Sequence, residues 1–214
     1  MKMRIASLTL LALCLAVVPA VAQNDIYDNG AINGTTDAWT INSGFTVSDT
    51  FTLGAQATVS GLSFGAWLEP GDSLVSAEVS ITSSEFGGTS FFDQTVNFTQ
   101  SGCVGNQFGL SVCTESSTFS GPSLNAGTYW LNLNNATTTL GEALYWDENS
   151  GPSSASENSI GTFPSESFTL VGGTSTTSTT STTSTTGTTP EPSSIMLFGS
   201  GILGLAGVLR RKLF

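Results

Sequence analysis

Between residues 5 and 209 the chain carries all sixteen of its Asp and Glu residues and no Lys, Arg or His. The chemistry open to such a stretch is narrow. Without His there is no Ser-His-Asp or Cys-His nucleophile, and without Lys no Schiff base or Ser-Lys pair. No G-x-x-x-x-G-K loop is present to cradle a phosphate. What remains is a carboxylate pair of the kind that hydrolyses glycosidic bonds. With fifteen acidic residues ahead of Glu191, however, some pair is close by chance and the pattern singles out none. The chain is therefore expected to be non-enzymatic, with no cofactor and no metal site.

Binding chemistry is better supplied. Trp39, Trp67, Trp130 and Trp146 are candidates for stacking on sugar rings. Trp130 alternates away from Leu131 and Leu133 and falls beside Asn132 and Asn134, so it belongs on an outer strand face. Trp130 and Trp146 are the candidate glycan-binding residues, but closing the core or its ends is the favoured role for the tryptophans, since Trp is mostly buried. The run WDENSG at 146–151 gathers Asp147, Glu148 and Asn149 before a glycine, an oxygen-rich group of the sort that suits Ca²⁺. It matches no EF-hand loop and reads by default as a solvated acidic turn. Asp25 and Asp28 carry the same discount. The sequons at Asn33, Asn97 and Asn135 arise readily by chance in a chain so rich in Ser and Thr.

The net charge of −11 and its placement also exclude partners. A surface with no interior cation repels nucleic acid and anionic lipid, because nothing neutralises phosphate. Cations and neutral glycans remain open as ligands.

These side chains need a frame, and the hydrophobic period supplies one. Val47, Phe51 and Leu53 share a face in FTVSDTFTL, with Phe45 at its start and Asp49 interrupting it, which predicts a break or bulge at Asp49. Val75, Ala77, Val79 and Ile81 alternate with Ser76, Glu78, Ser80 and Thr82, and Tyr129, Leu131 and Leu133 with Trp130, Asn132 and Asn134. Turn signals such as EPGD, EFGG and SGPSLNAG separate such runs, and no stretch keeps a helical period. Eight or nine strands at this spacing fit an all-β, antiparallel sandwich or jelly roll over residues 23–172. Cys103 and Cys113 bracket a short run with Gly105-Asn106 near its middle, suiting a disulfide-closed hairpin in an exported chain.

Export is written at the N-terminus. MKMR is followed by an apolar run and by Ala20 and Ala22 in an A-x-A pattern, a signal peptide over residues 1–22 cut after Ala22. An uncleaved anchor and a lipoprotein modified at Cys14 are the weaker alternatives. Beyond the sandwich, residues 173–189 repeat S-T-T triplets from Ser175, Ser178, Ser181 and Ser184, an apolar-free linker open to O-glycosylation. Pro190-Glu191-Pro192 follows, then Ile195–Leu209 and Arg210-Arg211-Lys212. Fifteen residues make a helix of about 22 Å, short for a hydrocarbon core of about 30 Å.

The ordered set within residues 190–214 resembles the PEP-CTERM sorting signal. That family's signal is found on exported proteins of Gram-negative bacteria that make extracellular polysaccharide. The resemblance implies that an exosortase-type membrane peptidase recognises Pro190, Glu191 and Pro192. It implies that Ile195–Leu209 is a transient inner-membrane anchor and that Arg210, Arg211 and Lys212 are the basic stop signal. Segments such as LNAGTYWLNLNNA and ALYWDENSGPS also resemble recurring parts of PEP-CTERM ectodomains, which supports a β-sandwich but names no activity. A single-pass membrane anchor is the competing reading of the tail.

Overall fold

The computed structural model describes residues 24–174. The described residues form β1 (Asn24–Asp28), β2 (Ala38–Thr40), β3 (Thr46–Leu53), β4 (Ala57–Leu68), β5 (Leu74–Ser84), β6 (Gly87–Asn97), β7 (Thr99–Gly105), β8 (Ser111–Thr118), β9 (Ser123–Leu124), β10 (Gly127–Thr138), β11 (Leu144–Asn149), β12 (Ala155–Glu157), β13 (Gly161–Phe163), β14 (Ser165–Glu166) and β15 (Phe168–Thr174). Nine of these run six residues or longer, as the alternation predicts. The other six are two to five residues long and patch the sheet edges, too short to carry a period.

Every pairing is antiparallel, and the strands make two sheets. One has nine strands with β4 as its spine: β15 and then β11 lie along one side of β4, β9 and then β8 along the other. The second runs β13-β12-β3-β10-β5-β6. Their inner faces meet in one core, to which Val47, Phe51, Val79, Ile81, Leu131 and Leu133 come from the six-stranded sheet and Val59, Leu62, Phe64, Trp146, Phe168 and Leu170 from the other. Branched and aromatic side chains on alternate positions suit a pleated surface buried on one side.

Two details depart from the alternation. Asp49 does not break β3. The strand pairs residue for residue with β10 from Thr46 to Leu53, and the Asp49 side chain points into the sandwich, held by partners from the opposite sheet. Val75 is 45% exposed, whereas Ala77, Val79 and Ile81 are buried. The β5–β10 register slips between Asn134 and Thr138, and the alternation does not survive the slip.

The outer face of the nine-stranded sheet is partly roofed. Residues 29–37 lie across β4 and β11, and Gly65 permits the approach. A Cβ there would stand 2.5 Å from Ser167 Oγ, 2.8 Å from Ile32 Cγ1 and 2.9 Å from Asp147 Cβ. Trp67 is thereby 4% exposed although it faces away from the core.

Candidate functional site

The WDENSG run is not a solvated turn. Asp147, Glu148 and Asn149 belong to β11 and are buried. Asp147 accepts three N–H groups: Gly34 N at 2.8 Å and Trp67 Nε1 at 2.7 Å on Oδ1, and Asn33 N at 2.9 Å on Oδ2. It fastens the roofing loop to the sheet. Glu148 Oε2 accepts Trp39 Nε1 at 2.8 Å, and Asn33 Nδ2 donates to the Glu148 carbonyl. Asn149 Nδ2 donates to the carbonyls of Asn29 and Ala31.

A second polar knot joins the two sheets. Asp49 Oδ2 accepts Asn29 Nδ2 at 3.0 Å and Glu166 N at 2.7 Å, and Asn29 Nδ2 also contacts Ser153 Oγ, Ser165 Oγ and the Glu166 carbonyl. Burial lifts Asp49 to about 6 against the downward pull of hydrogen bonds from Ser153, Glu166 N, Thr50 N and Asn29. Glu166 is fully buried, and neither of its carboxyl oxygens has a hydrogen-bond partner. Burial first, then Asp49, Asp147, Glu148 and Asp37, hold its pKa well above the ordinary carboxylate range. Glu115, buried on β8 with both oxygens unpartnered, is pushed up to about 7 by burial alone. With no Lys, Arg or His in the domain, a proton is the neutraliser these groups have. Among the described residues no three Asp, Glu or Cys side chains converge to hold a metal ion.

The outer face of the six-stranded sheet carries an open polar groove of about 430 Å³, lined by Glu78, Ser80, Thr82, Asp93, Asn132, Asn134 and Asn158 among others. β10 sets the amides and β5 the hydroxyls through register: Asn132 faces Ser80 and Asn134 faces Glu78. Asn132 Nδ2 donates to Ser80 Oγ and Thr82 Oγ1, and its Oδ1 accepts Phe86 N from the β5–β6 turn. Trp130 is two residues along the same face, half-buried, and paired with Thr82. It therefore stands where its alternation places it, beside the groove. Glu78 and Asp93 share a side-chain hydrogen bond, and Asp93 is raised by burial and by Glu78.

Trp146 stands elsewhere, and its reading as a glycan-binding residue is corrected. It is 0% exposed, packs edge-on against Phe64 and Phe168, and donates from Nε1 to the Ser167 carbonyl at 2.9 Å. Leu144, Trp146 and Glu148 form the inward alternation of β11, which leaves the indole no path to solvent.

Cys103 and Cys113 form a disulfide across the β7–β8 hairpin. Asn106 shapes the tip, its Oδ1 accepting Phe108 N and Leu110 N. Gln107 Nε2 donates to the Thr35 carbonyl, tying the tip to the roofing loop. Phe108 then lies on Trp67 with ring centroids 5.4 Å apart. The sequence reading missed Asn29 and Phe108. Asn29-Gly30 is a turn signal that went unused, and the contact of Phe108 with a strand 41 positions away leaves no local trace.

Ala20, Ala22, Pro190, Glu191, Pro192, Arg210, Arg211, Lys212 and the segment Ile195–Leu209, expected as a helical anchor, lie outside the described residues. The PEP-CTERM protein-sorting motif matches residues 188–212. This chain carries a PEP-CTERM sorting motif. The match takes in Pro190-Glu191-Pro192, the apolar run and Arg210-Arg211-Lys212. The PEP-CTERM motif implies processing by an exosortase-type system, export, and a transient membrane anchor before surface release. A comparison with curated proteins found no match.

Proposed function

We propose that this PEP-CTERM chain is a non-enzymatic surface or matrix protein of a Gram-negative bacterium, held among extracellular polysaccharide after exosortase-type processing. The observation that carries this reading is the sorting motif at residues 188–212. Its supports are the signal-peptide pattern ending at Ala22, the S-T-T linker and the want of His and Lys for catalysis. The layout is a signal peptide at 1–22, a sandwich at 23–172, a linker at 173–189 open to glycosylation, and a disposable address at 190–214. Replacing Pro190, Glu191 and Pro192 together by Ala and fractionating the host tests it. Accumulation of the variant in the inner membrane is the expected result. Release of the variant at the normal level contradicts the reading.

A second reading is favoured by one observation, the half-buried Trp130 beside a polar groove of amides and hydroxyls. In it the sandwich is a carbohydrate-binding or Ca²⁺-dependent adhesive module. An indole face for a sugar's C–H surface, with Asn and Ser groups for its hydroxyls, is the pattern such recognition needs. A glycan array run with and without Ca²⁺, on the native chain and on Trp130→Ala, separates the cases. Binding lost in Trp130→Ala supports the module. Absence of binding at high protein concentration removes it and leaves the first reading intact.

A further inference from the structure

The nine-stranded sheet carries a different feature on its outer face, and it is independent of the groove. A slot of about 200 Å³ is lined by Asp37, Ala38, Trp67, Phe108, Leu110 and Tyr145. Trp67 on β4 and Tyr145 on β11 are register partners, so their rings rise from the same face. Phe108, 58% exposed, closes the slot from the hairpin tip, and Asp37 stands just before β2. We propose that this slot binds a small organic cation, an alkylated ammonium group.

The sign of the ligand follows from the walls. Aromatic faces are the negative side of a quadrupole and attract cations within about 6 Å; the rings left to a ligand are Phe108 and Tyr145, since Phe108 stacks over Trp67, which is 4% exposed. The Trp67 indole N–H donates to Asp147 Oδ1 at 2.7 Å, so the positive edge of the ring is turned to a buried carboxylate. Asp37 adds a carboxylate whose only hydrogen bond among the described residues is from Ala38 N, at 2.9 Å on Oδ1, which leaves Oδ2 free for a ligand. No side chain of residues 5–209 can supply the cation, because none is Lys, Arg or His. A methylated ammonium also suits the apolar lining better than a hydrated metal ion does, since its methyl groups need no hydrogen bonds.

The disulfide and the Asn106 turn make Phe108 a fixed wall rather than a wandering side chain. Preorganisation of this kind lowers the ordering cost that a small ligand otherwise meets.

The test uses the full-length chain and a matched pair of probes. Choline chloride and 3,3-dimethylbutan-1-ol have the same shape, and only the first is charged. Backbone and indole N–H resonances of Phe108, Gly109 and Trp67 are followed during titration, with KCl as the ionic-strength control. Choline should give saturable shifts in the millimolar range and bind roughly tenfold more tightly than the alcohol. Asp37→Asn and Phe108→Ala should each weaken it by about fivefold, and the unchanged remainder of the spectrum reports that both variants are folded. Equal binding of the two probes makes the slot merely apolar and overturns the proposal. So does the absence of any shift at about 100 mM choline, or an Asp37→Asn variant that binds as well as the native chain.

Discussion

At the scale of residues, the domain is unusual in burying carboxyl groups that no basic side chain can meet. The consequence is a pH dependence of definite sign. Asp49 at about 6, Glu115 at about 7 and Glu166 well above normal all have folded pKa values above their unfolded ones. The fold thus binds more protons than the unfolded chain, and stability falls as pH rises through those values. Asp72 works the other way. Its own burial would raise it, but hydrogen bonds from Thr138, Leu140 N, Thr139 and Ser73 N draw it down to about 2, so its contribution is lost only in strong acid. Urea unfolding should show greatest stability at about pH 4 and a loss of several kcal/mol by about pH 8. A flat or rising profile from pH 5 to pH 8 contradicts this. Glu115→Gln should flatten the slope and be more stable than the native chain at pH 8, since it removes a buried charge and leaves the volume in place. Asp147→Ala should do the opposite at every pH. It strands three N–H donors, one of them on the buried Trp67, at a cost of about 3 kcal/mol by the same measurement.

At the scale of elements, much was legible in the sequence. Alternation and turn spacing give the eight or nine strands, the inward set on β10 and the outward Trp130, and the Cys103–Cys113 spacing gives the disulfide-closed hairpin. Alternation fails where something non-local intervenes. Asp49 looks like an interruption because its partners, Asn29 and Glu166 N, come from residues 20 and 117 positions away. WDENSG looks solvated because the loop that roofs it lies over 110 positions earlier in the chain. Trp146 has the right alternation for either face, and only the packing of Phe64 and Phe168 decides which. Two substitutions test the elements that do this covering. Gly65→Ala should cost about 1–3 kcal/mol in thermal or urea unfolding, because its Cβ meets Ser167, Ile32 and Asp147 within van der Waals distance. Replacing both Cys103 and Cys113 by Ser opens a loop of sequence separation 10 and should cost about 2–3 kcal/mol, with Phe108 released from Trp67 and seen as a change in Trp67 fluorescence or indole shift.

At the scale of the whole molecule, the chain divides into a part that folds as a sandwich and a part that carries an address. The address was readable because its parts are ordered along the sequence: Pro190-Glu191-Pro192, an apolar run and a basic cluster, within residues matched by the PEP-CTERM sorting motif. The groove beside Trp130 and the slot under Phe108 were not readable, because they are assembled from residues distant in sequence. The central claim is that the address is used and then lost. Mass spectrometry of the chain recovered from its native host tests it most directly. The account predicts a C-terminus at or near Pro190–Pro192, with Arg210, Arg211 and Lys212 absent, and the chain outside the inner membrane. Full-length protein still ending beyond Lys212, recovered with the inner membrane, would contradict it.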